Sequence, residues 1–417
     1  MSKANTNNEH DRRKNLSWLA DHLAKPEAAL VQDLLNLMNA WLHSDPWVPS
    51  GKTDIQLLWK YIELQGLGGI AGKLAMDGKI DSELLDHCGT ERYLSNAAQH
   101  AMAMKVCKKI SSSLCTLNMP AAVMKGPSLA ELVYQDGGIR AYSDIDLFMD
   151  SENSVYELVR QLSGEIIRKP QSKHHRFADC VKIDTRIDCW LCEFTIPSKY
   201  PAEPVYELMN RYLERIVKTA GAEGSSVENR ADPTIHMVYL IIHMVIGHFY
   251  SRYIWFVDLE MMYRKYSTDI DFAEVHFILS QLSLTEAAST AIEFCRNNLK
   301  SQMPELIPPK RRSRKGLFTL CTQPSVITVR RYSLDQIDRK KVYYNYLMVC
   351  CKFFLLTDSS KSLFESPAVL WTTRRFLNPM KIYDGILYTL ALTSIALFIR
   401  LLSKAILLFE KIRNIKQ

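Results

Sequence analysis

The sequence is poor in the features that mark secreted, disulfide-stapled or membrane-spanning chains. Its first residues, MSKANTNNEHDRRKN, are polar and carry neither the apolar stretch nor the small-residue cleavage site of a secretory signal, so retention in the cytoplasm is expected. The 10 cysteines are scattered from Cys88 to Cys351 without the close spacing of a disulfide scaffold, and read as buried thiols. Cys189 and Cys192, in CWLC, have redox or half-zinc spacing, yet no second Cys pair or Cys/His pair follows to complete a zinc site. No internal repeat is visible. No lysine-rich stretch interleaved with aromatics is present, and the net charge of +7, from 52 Lys+Arg against 45 Asp+Glu, is mild for 417 residues. A nucleic-acid acceptor is therefore not expected, while an anionic ligand or membrane surface is permitted.

A full bilayer-spanning run is also missing. The uncharged stretch Ile386 to Ile399 covers about 14 residues, against the roughly 20 that a transmembrane helix needs, and Arg400 and Lys404 interrupt it before AILLF. A bundle-packed helix is the first reading of this tail. An interfacial helix with snorkelling basic residues is the second, which keeps open a peripheral contact at the inner face of the membrane through Ile386 to Phe409, and a genuine span is the third.

What is present is enough apolar sequence, 47% of the chain, for two or three cooperating units. Residues 1–104 read as a helical N-terminal segment, with apolar residues at three- and four-residue spacing in AALVQDLLNLMNAWLH and IQLLWKYIELQGLGGIAGKLAMDGKI. Residues 105–205 change texture after Pro120 to short β-like runs, AAVMK, DIDLFM and CVKIDTRIDCWL, and read as a compact core. Residues 206–303 read as a helical domain, whose helical pattern runs from Pro233 to about Leu299 and begins with the very apolar IHMVYLIIHMVIGHFY. Residues 304–417 begin with the Pro- and Arg-rich PELIPPKRRSRKG, a basic linker, and continue as a helical segment with the apolar tail.

The chemistry concentrates in MKGPSLAELVYQDGGIRAYSDIDLFMD, Met124 to Asp150. On a strand Asp144 and Asp146 project together while Ile145 and Leu147 project to the opposite layer. Two carboxylates so placed need a cation between them, and Mg²⁺ takes one or two carboxylates together with water and phosphate oxygens. Before them a strand, a tight turn and a helix follow in order. Gly126 allows close backbone approach, and Ser128 with Glu131 has the spacing of a capping box. The helix start would present free N–H groups to a phosphate, with Lys125 and Arg140 adding charge. Solvated surface or pairing with the aspartates is the plainer role for those two basic residues. Asp184 and Asp188 have the same parity on the later strand, and either can supply a third carboxylate; Asp188 is preferred. His236 and His243 share a helix face seven residues apart, with His248 beyond. They read first as hydrogen-bonded core histidines, and His243 with Asp258 alternatively as an acceptor pocket. His174 and His175 read first as ordinary loop histidines and alternatively as neighbours of the site.

The order of strand, Gly-Ser turn, helix and D-x-D, with a later carboxylate, resembles the nucleotidyltransferase superfamily with the DNA-polymerase-β-like fold. More narrowly, MKGPSLAELVY with GIRAYSDIDLFM is similar to the bacterial family described only as uncharacterised nucleotidyltransferases, with its K-G-x-x-L, Y, R and S-D-I-D-L pattern. KHHRF followed by RIDCW resembles that family's His-rich stretch and D-x-H-W strand, and IIHMVIGHFYSRYIWFVDLEMM its helical H, W and D segment. The resemblance covers roughly Met104 to Leu299. Asp188-Cys189-Trp190 departs from D-x-H-W, being one residue shorter and lacking the His.

The resemblance implies an α+β fold, a small mixed-sheet polymerase-β-like core embedded in mostly helical N- and C-terminal segments. It implies Asp144, Asp146 and Asp188 as ligands of Mg²⁺ or Mn²⁺, with Lys125, Gly126, Ser128 and Arg140 at the nucleotide. The implied activity is metal-dependent transfer of a nucleoside monophosphate from an NTP to an acceptor hydroxyl on a small molecule, a modified peptide or sugar, or a protein. The alternative is a protein of the same descent that binds a nucleotide or a partner without turnover.

Overall fold

The computed structural model describes residues 28–119, 121–142, 145–149, 152–162, 165–168, 177–183, 185–191, 232–244, 252–281 and 284–306. All of them belong to one compact unit, Met1–Ile327; the second unit, Thr328–Gln417, lies outside the described residues, and with it the apolar tail. The basic run Lys310 to Lys315 and the histidines His174, His175 and His248 also lie outside them.

Four helices open the described chain. Helix α1 (Ala28–His43) buries Leu30, Leu34, Leu37 and Met38, the i, i+4, i+7, i+8 stripe of a helix packed on one side. Asp33, on its buried face, accepts from Ser50 Oγ at 2.9 Å and Thr53 Oγ1 at 3.0 Å and so ties down the following loop. Helix α2 (Ile55–Leu64) starts at Asp54, whose carboxylate accepts from the Leu57 N–H at 2.8 Å, the usual way to satisfy a free helix-start donor. Helix α3 (Gly68–Met76) leads to α4 (Glu83–Leu117), 35 residues long. Helix α4 stops at Asn118, with φ 51°, one of the few residue types besides glycine that enters the left-handed region readily.

Beyond α4 come β1 (Ala121–Val123), the single helical turn α5 (Pro127–Leu129), a π-helical turn (Ala130–Tyr134), β2 (Ile145–Met149), α6 (Glu152–Gln161), β3 (Glu165–Arg168), β4 (Phe177–Ile183) and β5 (Thr185–Leu191). The strands pair in the order β1-β2-β5-β4-β3, with β2 and β5 parallel and the other pairs antiparallel. One face of α4, through Val106, Ile110 and Leu114, covers β1 and β2 by packing on Val123, Ile145 and Leu147, with Leu158 of α6 closing the same layer. Ile145 and Leu147 thus face the helix, and Asp146 between them faces the other way.

Four more helices follow: α7 (Pro233–Ile242), α8 (Ile254–Tyr266), α9 (Phe272–Gln281) and α10 (Thr285–Asn298). Helix α7 has Pro233 at its first position and Asp232 as N-cap, and it is buried continuously from Thr234 to Ile241. Phe256 of α8 and Phe294 of α10 pack with ring centroids 4.0 Å apart. The first four helices and these join where the Ile254 N–H donates to the Gln65 carbonyl at 3.2 Å and the Tyr253 N–H to Gln65 Oε1 at 3.0 Å.

The architecture corrects the expected fold class. A small mixed-sheet, polymerase-β-like core is not the organising centre of the described chain, which is predominantly helical. The strands are three to seven residues long, and among the residues whose burial is described most buried side chains come from α1 to α4 and α7 to α10. The physical reason is length. Short β-like runs stand out in a sequence by their alternation, but each offers few residues, while the longer amphipathic helices make up most of the described chain. Among the described residues no helix is long and apolar enough to cross a membrane.

Candidate active site

The site begins where β1 ends. The Met124 N–H donates to the Asp146 carbonyl at 3.1 Å, which holds the exit of β1 against β2. Gly126 then takes φ 61° and ψ −113°, a backbone conformation closed to residues with a Cβ, and Pro127 opens α5. The tight turn is closed by Ser128 N–H to the Lys125 carbonyl at 3.3 Å and Ala130 N–H to the Gly126 carbonyl at 3.1 Å.

Two local expectations are corrected here. The helix start is a single three-residue turn that passes directly into a π-helical turn, so it has no long run of aligned peptides behind it. Ser128 and Glu131 form no capping box, because Gly126 holds the N-cap position and Ser128 lies inside the turn. Glu131 instead lies 3.4 Å from His100 Nε2. Ser128 Oγ is buried and has no hydrogen-bond partner among the described residues.

Asp146 is completely buried. Its Oδ2 lies 3.0 Å from Lys125 Nζ, and both side chains are withdrawn from water. Asp188 occupies the register position directly beside Asp146 on the parallel neighbour β5. Asp179, on β4, is in register with Asp188 from the other side, and Arg168 of β3 with Asp179. Four charged positions therefore line up across four adjacent strands. Asp144 and Asp184 lie outside the described residues, and among the described residues no three His, Cys, Asp or Glu side chains gather as a metal site.

Does this arrangement fit a divalent cation with a phosphate ligand? The donor set does. A carboxylate withdrawn from water, with a second carboxylate position in register next to it, is the hard-oxygen environment that Mg²⁺ or Mn²⁺ takes. Ser128 Oγ, a buried hydroxyl with unused hydrogen-bonding capacity on the adjoining turn, is the kind of group that a phosphate oxygen satisfies.

Arg140 is engaged elsewhere than its sequence position suggests. Its Nε donates to Asp258 Oδ1 and its Nη2 to Asp258 Oδ2, both at 2.8 Å, a bidentate pair in which each residue is buried. Tyr134 adds a third bond, its hydroxyl donating to Asp258 Oδ1 at 2.7 Å. Burial first, and the Asp258 charge second, raise the Tyr134 pKa well above its ordinary value, so the phenol keeps the proton it donates. The network fastens the segment between the turn and β2 to α8.

His236, on α7, is fully buried and hydrogen-bonds to the Met124 backbone. Burial pushes its pKa down to about 4, against a smaller upward pull from that bond and from Asp258, so the ring is neutral at physiological pH. His243 is half-buried and packs between two aromatic rings, Tyr239 at 6.0 Å and Trp255 at 5.8 Å.

Helix α4 braces the approach to β2 with residues that sequence reasoning missed. The Tyr93 hydroxyl lies 2.9 Å from both Asp136 oxygens, Asn96 donates to the Gly138 carbonyl at 3.0 Å, and His100 Nδ1 meets the Tyr142 hydroxyl at 2.8 Å. A Cβ on Gly138 would fall 2.4 Å from the Tyr93 ring, so the loop lies directly on the helix. Positions 93, 96 and 100 share one helix face, and that polar stripe was the available signal. Asp179 is a further missed position: a register irregularity between Cys180 and Ile183 sets it opposite Asp188, where counting back from the Ile183–Thr185 pair would set it opposite Cys189.

A family model described as "Uncharacterised nucleotidyltransferase" matches residues 51–300. That span contains the resemblance seen over Met104 to Leu299 and extends it into the preceding helices. No curated protein and no solved structure matches the chain.

Proposed function

The chain belongs to the uncharacterised nucleotidyltransferase family, and from that premise we propose that it moves a nucleoside monophosphate from an NTP to an acceptor hydroxyl, releasing pyrophosphate. The observation that carries this reading is Asp146, wholly buried, paired with Lys125 and in register with Asp188. A buried carboxylate beside another carboxylate position is costly unless positive charge completes it.

In this reading Asp144, Asp146 and Asp188 hold Mg²⁺ or Mn²⁺. When bound, the metal supplies neutralisation of triphosphate charge and a lowered proton affinity for the attacking hydroxyl. The chain's own groups do the rest. Gly126 brings the backbone close to the triphosphate, and Ser128 Oγ and Lys125 Nζ are its side-chain contacts on the turn. Arg140, clamped by Asp258 and Tyr134, keeps the turn and β2 in fixed relation, since misplacement by an ångström costs much of an in-line transfer. On the acceptor side stands His243, packed against Tyr239 and Trp255, while Asp258, which the sequence grouped with it, is held by Arg140. The acceptor is a small molecule, a modified peptide or sugar, or a protein hydroxyl.

Water serves as a surrogate acceptor in the test. Purified protein incubated with each NTP and Mg²⁺ or Mn²⁺ should slowly release NMP and pyrophosphate, reporting attack at the α-phosphorus. NDP and inorganic phosphate as the products would contradict the reading.

A further inference from the structure

The Lys125–Asp146 pair is an unusual thing for a turn to carry. Lys125 sits on the turn itself, its carbonyl closing the hydrogen bond to Ser128, while its ammonium reaches back 3.0 Å from Asp146 Oδ2. The two side chains are 13% and 1% exposed, so both ions have given up most of their water. Such pairs contribute little net stability, because desolvation offsets the attraction. The register row of charged positions continues from Asp146 through Asp188 and Asp179 to Arg168.

Resting on the proposed nucleotidyltransferase reading, we infer that Lys125 is the resident counter-ion of the metal site, occupying Asp146 while the metal is absent and passing to the triphosphate when the metal enters. Two cations compete for one buried carboxylate. Lys125 has the means to change partner: its flexible four-carbon stem carries a rotatable ammonium, and Ser128 Oγ, three residues along the same turn, is buried with no partner among the described residues. A triphosphate lying along the turn would meet both groups. The lysine therefore acts with opposite signs, holding metal alone off Asp146 and drawing metal-bound triphosphate in.

That opposition is what the experiment reads. Full-length wild type, Lys125→Gln, Lys125→Met, Lys125→Arg and Asp146→Asn are titrated with Mn²⁺ alone and with Mn²⁺ plus inorganic tripolyphosphate, which needs no base preference. Loss of the competing charge in Lys125→Gln or Lys125→Met should tighten Mn²⁺ binding by about 10-fold, within the usual range of coupling between two ligands of one site. The same variants should bind Mn²⁺-tripolyphosphate about 10-fold more weakly. Lys125→Arg keeps the charge and should leave Mn²⁺ affinity near that of wild type. Lys125→Gln retains a hydrogen bond to Asp146, so it reports if the Met variant fails to fold. If neutral variants bind Mn²⁺ no more tightly than wild type, while Asp146→Asn abolishes binding, the inference is overturned and the metal-site reading stands. If no variant and no wild type binds Mn²⁺, both are overturned.

Discussion

Asp146 on β2 and Asp188 on β5 occupy directly paired positions on neighbouring parallel strands. Their separation in sequence is long, and the sheet register alone brings them together. On that relationship Asp188→Asn should resemble Asp146→Asn: metal-dependent NTP binding is lost, and turnover falls on the order of 10³-fold, the scale of losing a metal's charge stabilisation. Calorimetry and product release measured side by side check it; full activity in Asp188→Asn would remove that residue from the site.

The Arg140–Asp258 clamp makes a prediction about stability. Asp258→Asn leaves the guanidinium buried without its counter-charge and should cost about 3–5 kcal/mol. Arg140→Lys should also destabilise, because an ammonium cannot reproduce the bidentate bond. The double variant Arg140→Met/Asp258→Leu should recover much of the loss. Urea unfolding of the four proteins measures all of these, and additive losses in the double variant would show that the two residues are not coupled.

His236 supplies a pH dependence whose sign can be worked out. Its pKa is about 4 in the folded protein and about 6.5 when unfolded. Between those values the unfolded chain binds a proton that the native chain refuses, so stability falls as pH drops from 6.5 toward 4 and is unaffected above that window. The full contribution is roughly 3 kcal/mol. In His236→Asn this component of the pH slope should vanish, as denaturation midpoints at pH 7.5, 6 and 5 would show.

Gly126 takes φ 61° with ψ −113°. Gly126→Ala should lose about 1–3 kcal/mol of stability through backbone strain and also weaken tripolyphosphate binding, because Lys125 and Ser128 are set by the same turn. Thermal unfolding and the Mn²⁺-tripolyphosphate titration report the two effects separately.

How much of this was legible beforehand depended on distance along the chain. Local signals carried well: the apolar stripe of α1, and the family resemblance that the match over residues 51–300 supports. Long-range pairings did not. Nothing in the sequence near Arg140 announces a partner 118 residues away, and nothing near Glu131 says that His100 will take it from Ser128. The weight of the helices is harder to read: short alternating runs stand out locally, whereas the share of the fold that helices carry depends on how they pack.

The central claim is that the aspartates complete an NTP site only with a divalent cation. Calorimetric titration of each NTP into wild type and Asp144→Asn/Asp146→Asn, with and without Mg²⁺, tests it most directly. The account predicts binding of at least one NTP to wild type with Mg²⁺, none after its removal, and none to the double variant. Equal binding with and without the metal, or undiminished binding to the double variant, would contradict it.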